Sequence, residues 1–83
     1  MKLVYFAWVR ERIGLAEEEV DMPPELRTVG ELVRWLAGRG ETYALAFAEP
    51  QAIRVALDHQ HAHDDAPIAG AREIALFPPM TGG

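Results

Sequence analysis

The stretch Thr28-Val29-Gly30-Glu31 opens the segment that most constrains the fold of this chain. Thr28 is a residue of the helix-capping kind, and Glu31 lies three positions on, where its carboxylate reaches back to the cap amide. Val29, Leu32, Val33 and Leu36 then recur at helical spacing, with Trp35 flanking the stripe as a packing residue. Gly38 and Gly40 stop the helix, and Arg34 and Arg39 fall near the negative end of its dipole. A helix with one apolar stripe needs another layer to bury it, and a sheet is a sound partner at this length.

The flanking segments supply that sheet. Residues 2 to 8, KLVYFAW, read as a first strand with Val4, Phe6 and Trp8 on one side and Leu3, Tyr5 and Ala7 on the other. Gly14 marks a turn. EEEVDM at 17–22 reads as a second strand, hairpinned to the first and ended by Pro23 and Pro24, which cannot donate to a ladder. Beyond the helix, YALAFA at 43–48 reads as a short helix or an irregular packed segment. AIRVAL at 52–57 reads as a strand with Ile53, Val55 and Leu57 on one face. A turn near Asp58 leads into a short strand within HQHAH, and REIALF is a last strand that ends at Pro78. The expected architecture is α+β: four to five strands packed on one main helix.

Composition narrows what such a domain does. Eighty-three residues make one domain, and 49% hydrophobic content supports a real core. No run approaches the roughly 20 apolar residues of a membrane span. The start, MKLVYFAWVRE, lacks the cleavage pattern of a signal peptide, so a cytoplasmic address without a membrane partner is expected. The net charge is −5, Lys2 is the single lysine, and the arginines are scattered, so no stripe tracks a phosphate backbone and no nucleic-acid partner is expected. Glu17, Glu18, Glu19 and Asp21 form either a surface for a basic partner or a solvated strand edge.

The chain contains neither cysteine nor serine, which removes disulfides, thiol and serine nucleophiles and cysteine-ligated metals. His59, His61 and His63 alternate, which places them on one face of an extended strand with Asp58, Asp64 and Asp65 nearby. These are zinc-ligand types. Adjacent side chains on a flat strand splay rather than converge, however, and a solvated hairpin and loop is the plainer reading, with no metal site assigned. Asp64 and Asp65 are neighbours that point oppositely on an extended chain, a poor acid–base pair. No phosphate-binding glycine motif is present.

The end of the sequence is FPPMTGG. Pro78 and Pro79 bias the base of an arm toward an extended direction. From Pro79 to Gly83 the arm reaches about 16 Å when extended. Gly82 and Gly83 have no Cβ, so the tip fits a channel too narrow for an ordinary side chain. By composition alone a diglycine is a weak signal.

Three stretches together are more specific. VYFAWVRERIG, TVGELVRWL and EIALFPPMTGG resemble, in the same order, the first strand and loop, the long helix and the terminal strand of the molybdopterin synthase small subunits (molybdopterin-converting factor subunit 1). Those proteins are ubiquitin-like sulfur carriers of the β-grasp fold. The resemblance covers essentially the whole chain. It implies a β-grasp domain over 1–78 and a flexible Gly-Gly tail over 79–83.

What the resemblance further implies is a non-catalytic, sulfur-donating subunit whose reactive group is the Gly83 carboxylate, with catalysis on a large subunit. A ubiquitin-activating-like adenylyltransferase using ATP and Mg adenylates that carboxylate, and a sulfur-donating protein converts it to a thiocarboxylate. The sulfur passes to cyclic pyranopterin monophosphate within the large subunit, in a heterotetramer of two small and two large subunits. The chain itself binds no cofactor in this scheme. Pro79, Met80, Thr81 and Gly82 are the inserted tail, and Phe6 and Phe77 align with residues of a hydrophobic docking face. The histidines match no motif of the family. A sulfur carrier for thiamine or transfer-RNA thiolation, and a ubiquitin-like modifier joined through Gly83, remain alternatives at this point.

Overall fold

Alternation along the first strand decides which side meets the core. In β1 (Lys2–Tyr5), Leu3 and Tyr5 are buried while Lys2 and Val4 turn the other way. The computed structural model describes residues 1–79. β1 pairs antiparallel with β2 (Glu17–Glu19) and parallel with the last strand, Glu73–Phe77. That last strand also pairs antiparallel with β3 (Arg54–Leu57), which hairpins into β4 (Gln60–Ala62). With Glu73–Phe77 as β5, the five-stranded mixed sheet has the order β2-β1-β5-β3-β4.

One face of this sheet is covered by helices. α2 (Val29–Ala37) buries Val29, Leu32, Val33 and Leu36, the stripe expected from its spacing. α3 (Glu41–Ala46) follows it, and a 3-10 turn over Pro50–Ala52 leads into β3. Leu3, Tyr5, Leu32, Leu36, Phe47, Ile74 and Leu76 are among the most deeply buried side chains. Burial of each such side chain contributes about 1.5–3 kcal/mol.

Three expected boundaries are corrected. The first strand stops at Tyr5 rather than at residue 8, because Ala7–Ile13 forms a helix, α1. Phe6 is its extended N-cap, and Ala7 turns the chain with φ of 53°. Val9 and Ile13, four apart, are the buried residues of α1, and Gly14 caps it at φ 91° with its N–H on the Arg10 carbonyl at 2.8 Å. Phe6 and Trp8 therefore do not share a strand face with Val4. The second strand covers Glu17–Glu19 instead of 17–22. β3 begins at Arg54 instead of Ala52, because Pro50 starts the 3-10 turn.

The start of α2 satisfies its own unpaired amides. The Glu31 N–H donates to Thr28 Oγ1 at 3.2 Å, and the Glu31 carboxylate accepts from the Arg27 and Thr28 amides at 2.7 and 3.3 Å. Those two backbone donors hold the Glu31 carboxyl below the usual carboxylate range. The Val29 and Gly30 amides donate to the Ala66 and Asp64 carbonyls at 3.0 and 2.9 Å, tying the loop after β4 to the helix. A Cβ on Gly30 would stand 3.3 Å from the Asp64 carbonyl oxygen, so the close approach favours glycine there. Thr28→Ala is expected to cost about 1 kcal/mol, read as a lower urea midpoint with an unchanged slope.

Glu18 anchors the other end of the helical layer. Its Oε2 accepts from the hydroxyls of Tyr5 (2.8 Å) and Tyr43 (2.7 Å) and from Arg39 Nη1 (3.2 Å). Burial alone raises a carboxyl, but the Tyr43 and Tyr5 hydroxyls and the Arg39 guanidinium outweigh it and hold Glu18 low. The same burial, with donation to Glu18, pushes Tyr5 far above its ordinary range. A depressed carboxyl contributes stability above its unfolded value of about 4.3 and loses it as the pH falls through the lower folded value. Glu18→Ala is expected to lose about 2 kcal/mol at pH 7. Urea unfolding at pH 7 and pH 3 should show a smaller acid loss for the variant than for the parent chain. Glu17 and Glu19 are also engaged within the chain, with Lys2 Nζ at 3.5 Å and the Met1 amino group at 2.7 Å.

Candidate functional site

The sheet face away from the helices is built in rows, and strand register fixes them. Glu17, Val4, Ala75, Ala56 and His61 stand side by side across all five strands. Alternation puts their side chains opposite to Leu3, Val55, Ile74 and Leu76, so this row faces away from the core. Its centre is small and apolar. At one end of the strands lies a charged row, where Lys2 Nζ sits 3.6 Å from Glu73 Oε1 and Glu19 pairs with Lys2 in register. At the other end lies an aromatic row.

That aromatic row surrounds the exit of β5. Phe6 is 48% exposed, which removes it from the core, and its N–H donates to the Leu76 carbonyl at 3.1 Å. This bond carries the β1–β5 ladder one residue past β1 and holds Phe6 beside the end of β5. Phe77 is half-buried and lies opposite Arg54 in the β3–β5 register. The His61 ring meets the Phe77 ring edge-on, with centroids 5.4 Å apart and planes at 90°. Arg54 is exposed, and its guanidinium donates to the Gln51 carbonyl at 3.0 Å. Pro78 and Pro79 follow β5 directly, the first half-buried and the second exposed. Of the residues marked out by sequence, Phe6, Phe77 and Pro79 thus gather at one end of the sheet. Met80, Thr81, Gly82 and Gly83 lie outside the described residues.

The three histidines do not share one strand face. His59 lies in the β3–β4 turn with φ 73°, its Nε2 3.7 Å from Glu73 Oε2. His61 is in β4, and His63 follows the strand, its carbonyl accepting from the Ala66 amide at 3.0 Å. Asp58 precedes His59 at φ 48°, so both turn residues take the left-handed conformation of a tight two-residue hairpin. The Asp58 Oδ1 accepts from the Arg72 and Glu73 amides, both at 2.9 Å, which holds its carboxyl low and fixes the start of β5. Among the described residues, no three His, Asp or Glu side chains are grouped to hold a metal ion. No helix among them is long and apolar enough to cross a membrane.

Sequence reasoning passed over His61 as a neighbour of Phe77, which its ring reaches diagonally from the adjoining central row. The signal was its place in β4, but only the pairing of Ala56 with His61 and Arg54 with Phe77 brings the imidazole to Phe77. On the helical side, Trp8 lies beneath the Arg12 guanidinium at 4.3 Å, and Trp35 lies 5.4 Å from that of Arg39. Both indoles are packing and stacking residues.

Comparison with known proteins agrees with this geometry. Residues 3–83 match the ThiS family. The chain is 34% identical over 85 residues to the molybdopterin synthase sulfur carrier subunit of Escherichia coli (strain K12), covering 100% of this chain and 99% of that protein. It is 30% identical to the Haemophilus influenzae protein of the same description, again covering 100% and 99%. Among solved structures it resembles SAMP1 from Haloferax volcanii, with a TM-score of 0.71, 27% identity and coverage of 100% and 98%. A putative molybdopterin converting factor, subunit 1, from Pyrococcus furiosus shares the fold at a TM-score of 0.67, with 20% identity and 95% of each chain covered. Mixed sheet, crossing helix and full-length match lead to one assignment: the chain belongs to the ThiS family, has the β-grasp fold, and is a homologue of the molybdopterin synthase small subunits.

Proposed function

We propose that this chain is a sulfur carrier of molybdenum cofactor biosynthesis and that the Gly83 carboxylate is the group that carries sulfur. The observation that supports it most is the full-length likeness to the Escherichia coli molybdopterin synthase sulfur carrier subunit. The carboxylate attacks the α-phosphate of ATP on an activating enzyme, and pyrophosphate leaves. The resulting mixed anhydride is open to attack by a sulfur nucleophile. Sulfide-level sulfur displaces AMP to give the thiocarboxylate directly, whereas a donor's persulfide displaces AMP to give an acyl disulfide whose S–S bond a thiol then reduces to free the thiocarboxylate. An unactivated carboxylate resists such attack, so ATP is needed. The thiocarboxylate sulfur is itself a nucleophile, and it is passed to cyclic pyranopterin monophosphate in a large catalytic subunit. Two carriers serve one dithiolene.

This chain's part is presentation. Phe6 and Phe77 dock in turn on the activating enzyme and the large subunit, aromatic anchors of a kind that carry binding energy when desolvated. Pro79, Met80, Thr81 and Gly82 deliver the carboxylate into the partner's active site. All three proteins meet in the cytoplasm.

The test is intact mass after incubation with a ubiquitin-activating-like adenylyltransferase, Mg-ATP and a sulfur donor. A gain equal to exchanging one oxygen for sulfur is expected, followed by conversion of cyclic pyranopterin monophosphate once large subunit is added. A loaded carrier that yields thiazole or thiolated RNA but no pterin product would sink the pathway assignment. Conjugates on target lysines in place of the sulfur gain would replace carrier with modifier.

A further inference from the structure

We infer that the groove between α1 and α3 is a self-association surface that pairs this chain with a second copy of itself. The groove lies in the helical layer, away from the outer sheet face, and its pairing stands whether or not Gly83 carries sulfur.

Two walls build the groove. Trp8 and Arg12, four apart, stand on one side of α1. α3 packs against α1, and Leu45 and Glu49 line the facing wall, with the buried Ala46 between them in the chain. Leu45 is 60% exposed, more than any other large apolar side chain among the described residues. Ala44 and Ala48, one and three residues away, are exposed as well, so this lip is apolar surface left to water. The alanines leave room for a side chain from another molecule to settle beside Leu45.

Charge decides the occupant. Arg12 stands on one wall and Glu49 on the other. The Arg12 guanidinium lies over the Trp8 ring at 4.3 Å, which holds it at its own wall. Among the described residues neither Arg12 nor Glu49 has an ion-pair partner. A two-fold axis through the groove exchanges the walls, so that Arg12 of each copy faces Glu49 of the other. The same rotation carries Leu45 of each copy to the Trp8 wall of the other. An apolar occupant, or one of a single charge sign, desolvates at least one of the two charges without a partner, which is costly. A second copy supplies both partners from one surface. The patch is small, so association is weak, with a Kd on the order of 100 µM. The two helical layers then lie together, and both outer sheet faces point away from the contact.

Sedimentation equilibrium of the full chain from about 10 µM to about 1 mM tests this, with Leu45→Arg, Arg12→Glu, Glu49→Arg and the Arg12→Glu/Glu49→Arg double variant alongside. The parent's average mass is expected to climb toward twice the chain mass over that range. Leu45→Arg should stay monomeric, and its urea midpoint should hold near the parent's because the side chain is exposed. Each single charge reversal should weaken association about tenfold, and the double reversal should return Kd to within about threefold of the parent. A parent that stays monomeric throughout overturns the proposal, as does Leu45→Arg that dimerises like the parent. A double reversal no tighter than the single ones overturns the two-fold pairing of Arg12 with Glu49. A monomeric parent whose titration into the large subunit weakens with Leu45→Arg gives the groove to that partner instead of a second copy.

Discussion

Extending the chain by a single alanine after Gly83 is expected to abolish sulfur loading while leaving the unfolding midpoint where it was. The added residue moves the reactive carboxylate by about 3.5 Å. Misplacement of reacting atoms by as little as 1 Å can cost about a hundredfold, so the loss in loading rate should be at least of that order. If the tip enters a partner channel too narrow for a side chain, as the carrier reading implies, the added methyl also has no room there. Stability should not respond, because the buried side chains of the last strand, Ile74 and Leu76, lie well before the tip. Intact mass after the loading reaction and urea unfolding of the same sample give the two readings. An extended chain that loads at the parent rate removes Gly83 as the sulfur-bearing residue.

Phe77→Ala is expected to weaken the complex with the large subunit by about 2 kcal/mol, roughly thirtyfold in Kd. Its effect on folding should be smaller, about 1 kcal/mol or less, because the ring is only half-buried and lies on the face opposite Ile74 and Leu76. Truncating a ring there empties no enclosed core space. What is lost is a half-buried ring on the outer sheet face, and with it the edge-on contact with His61. Titration calorimetry against urea unfolding separates the two effects. A variant whose Kd is unchanged takes Phe77 out of the docking face.

Local chemistry was the readable part of this sequence. Thr28 and Glu31 form the reciprocal cap that their spacing announces, and Val29, Leu32, Val33 and Leu36 bury the stripe. The hairpin turn fell near Asp58, where an acidic residue tolerates a left-handed backbone. What misled was Ala7, whose positive φ has no propensity signal, so alternation seemed to run on through Phe6 to Trp8. The spacing of Val9 and Ile13 before Gly14 was the missed sign of α1. Glu18 was legible only as one acid among several, because its hydroxyl partners come from Tyr5 and Tyr43, far apart in sequence. The aromatic row was half legible. Phe6 and Phe77 came from family resemblance, and His61, one row inward by register, meets Phe77 only in three dimensions.

The order β2-β1-β5-β3-β4 carries a consequence for how the molecule comes into being. The strand at the centre of the sheet is the last of the five to be synthesised. Until Glu73–Phe77 is made, β2–β1 and β3–β4 are two separate ribbons, and an isolated two-stranded ribbon is marginal in water. A chain interrupted before Glu73 therefore lacks the strand that joins the two ribbons. Completion of the sheet thus waits on the last of its five strands in chain order.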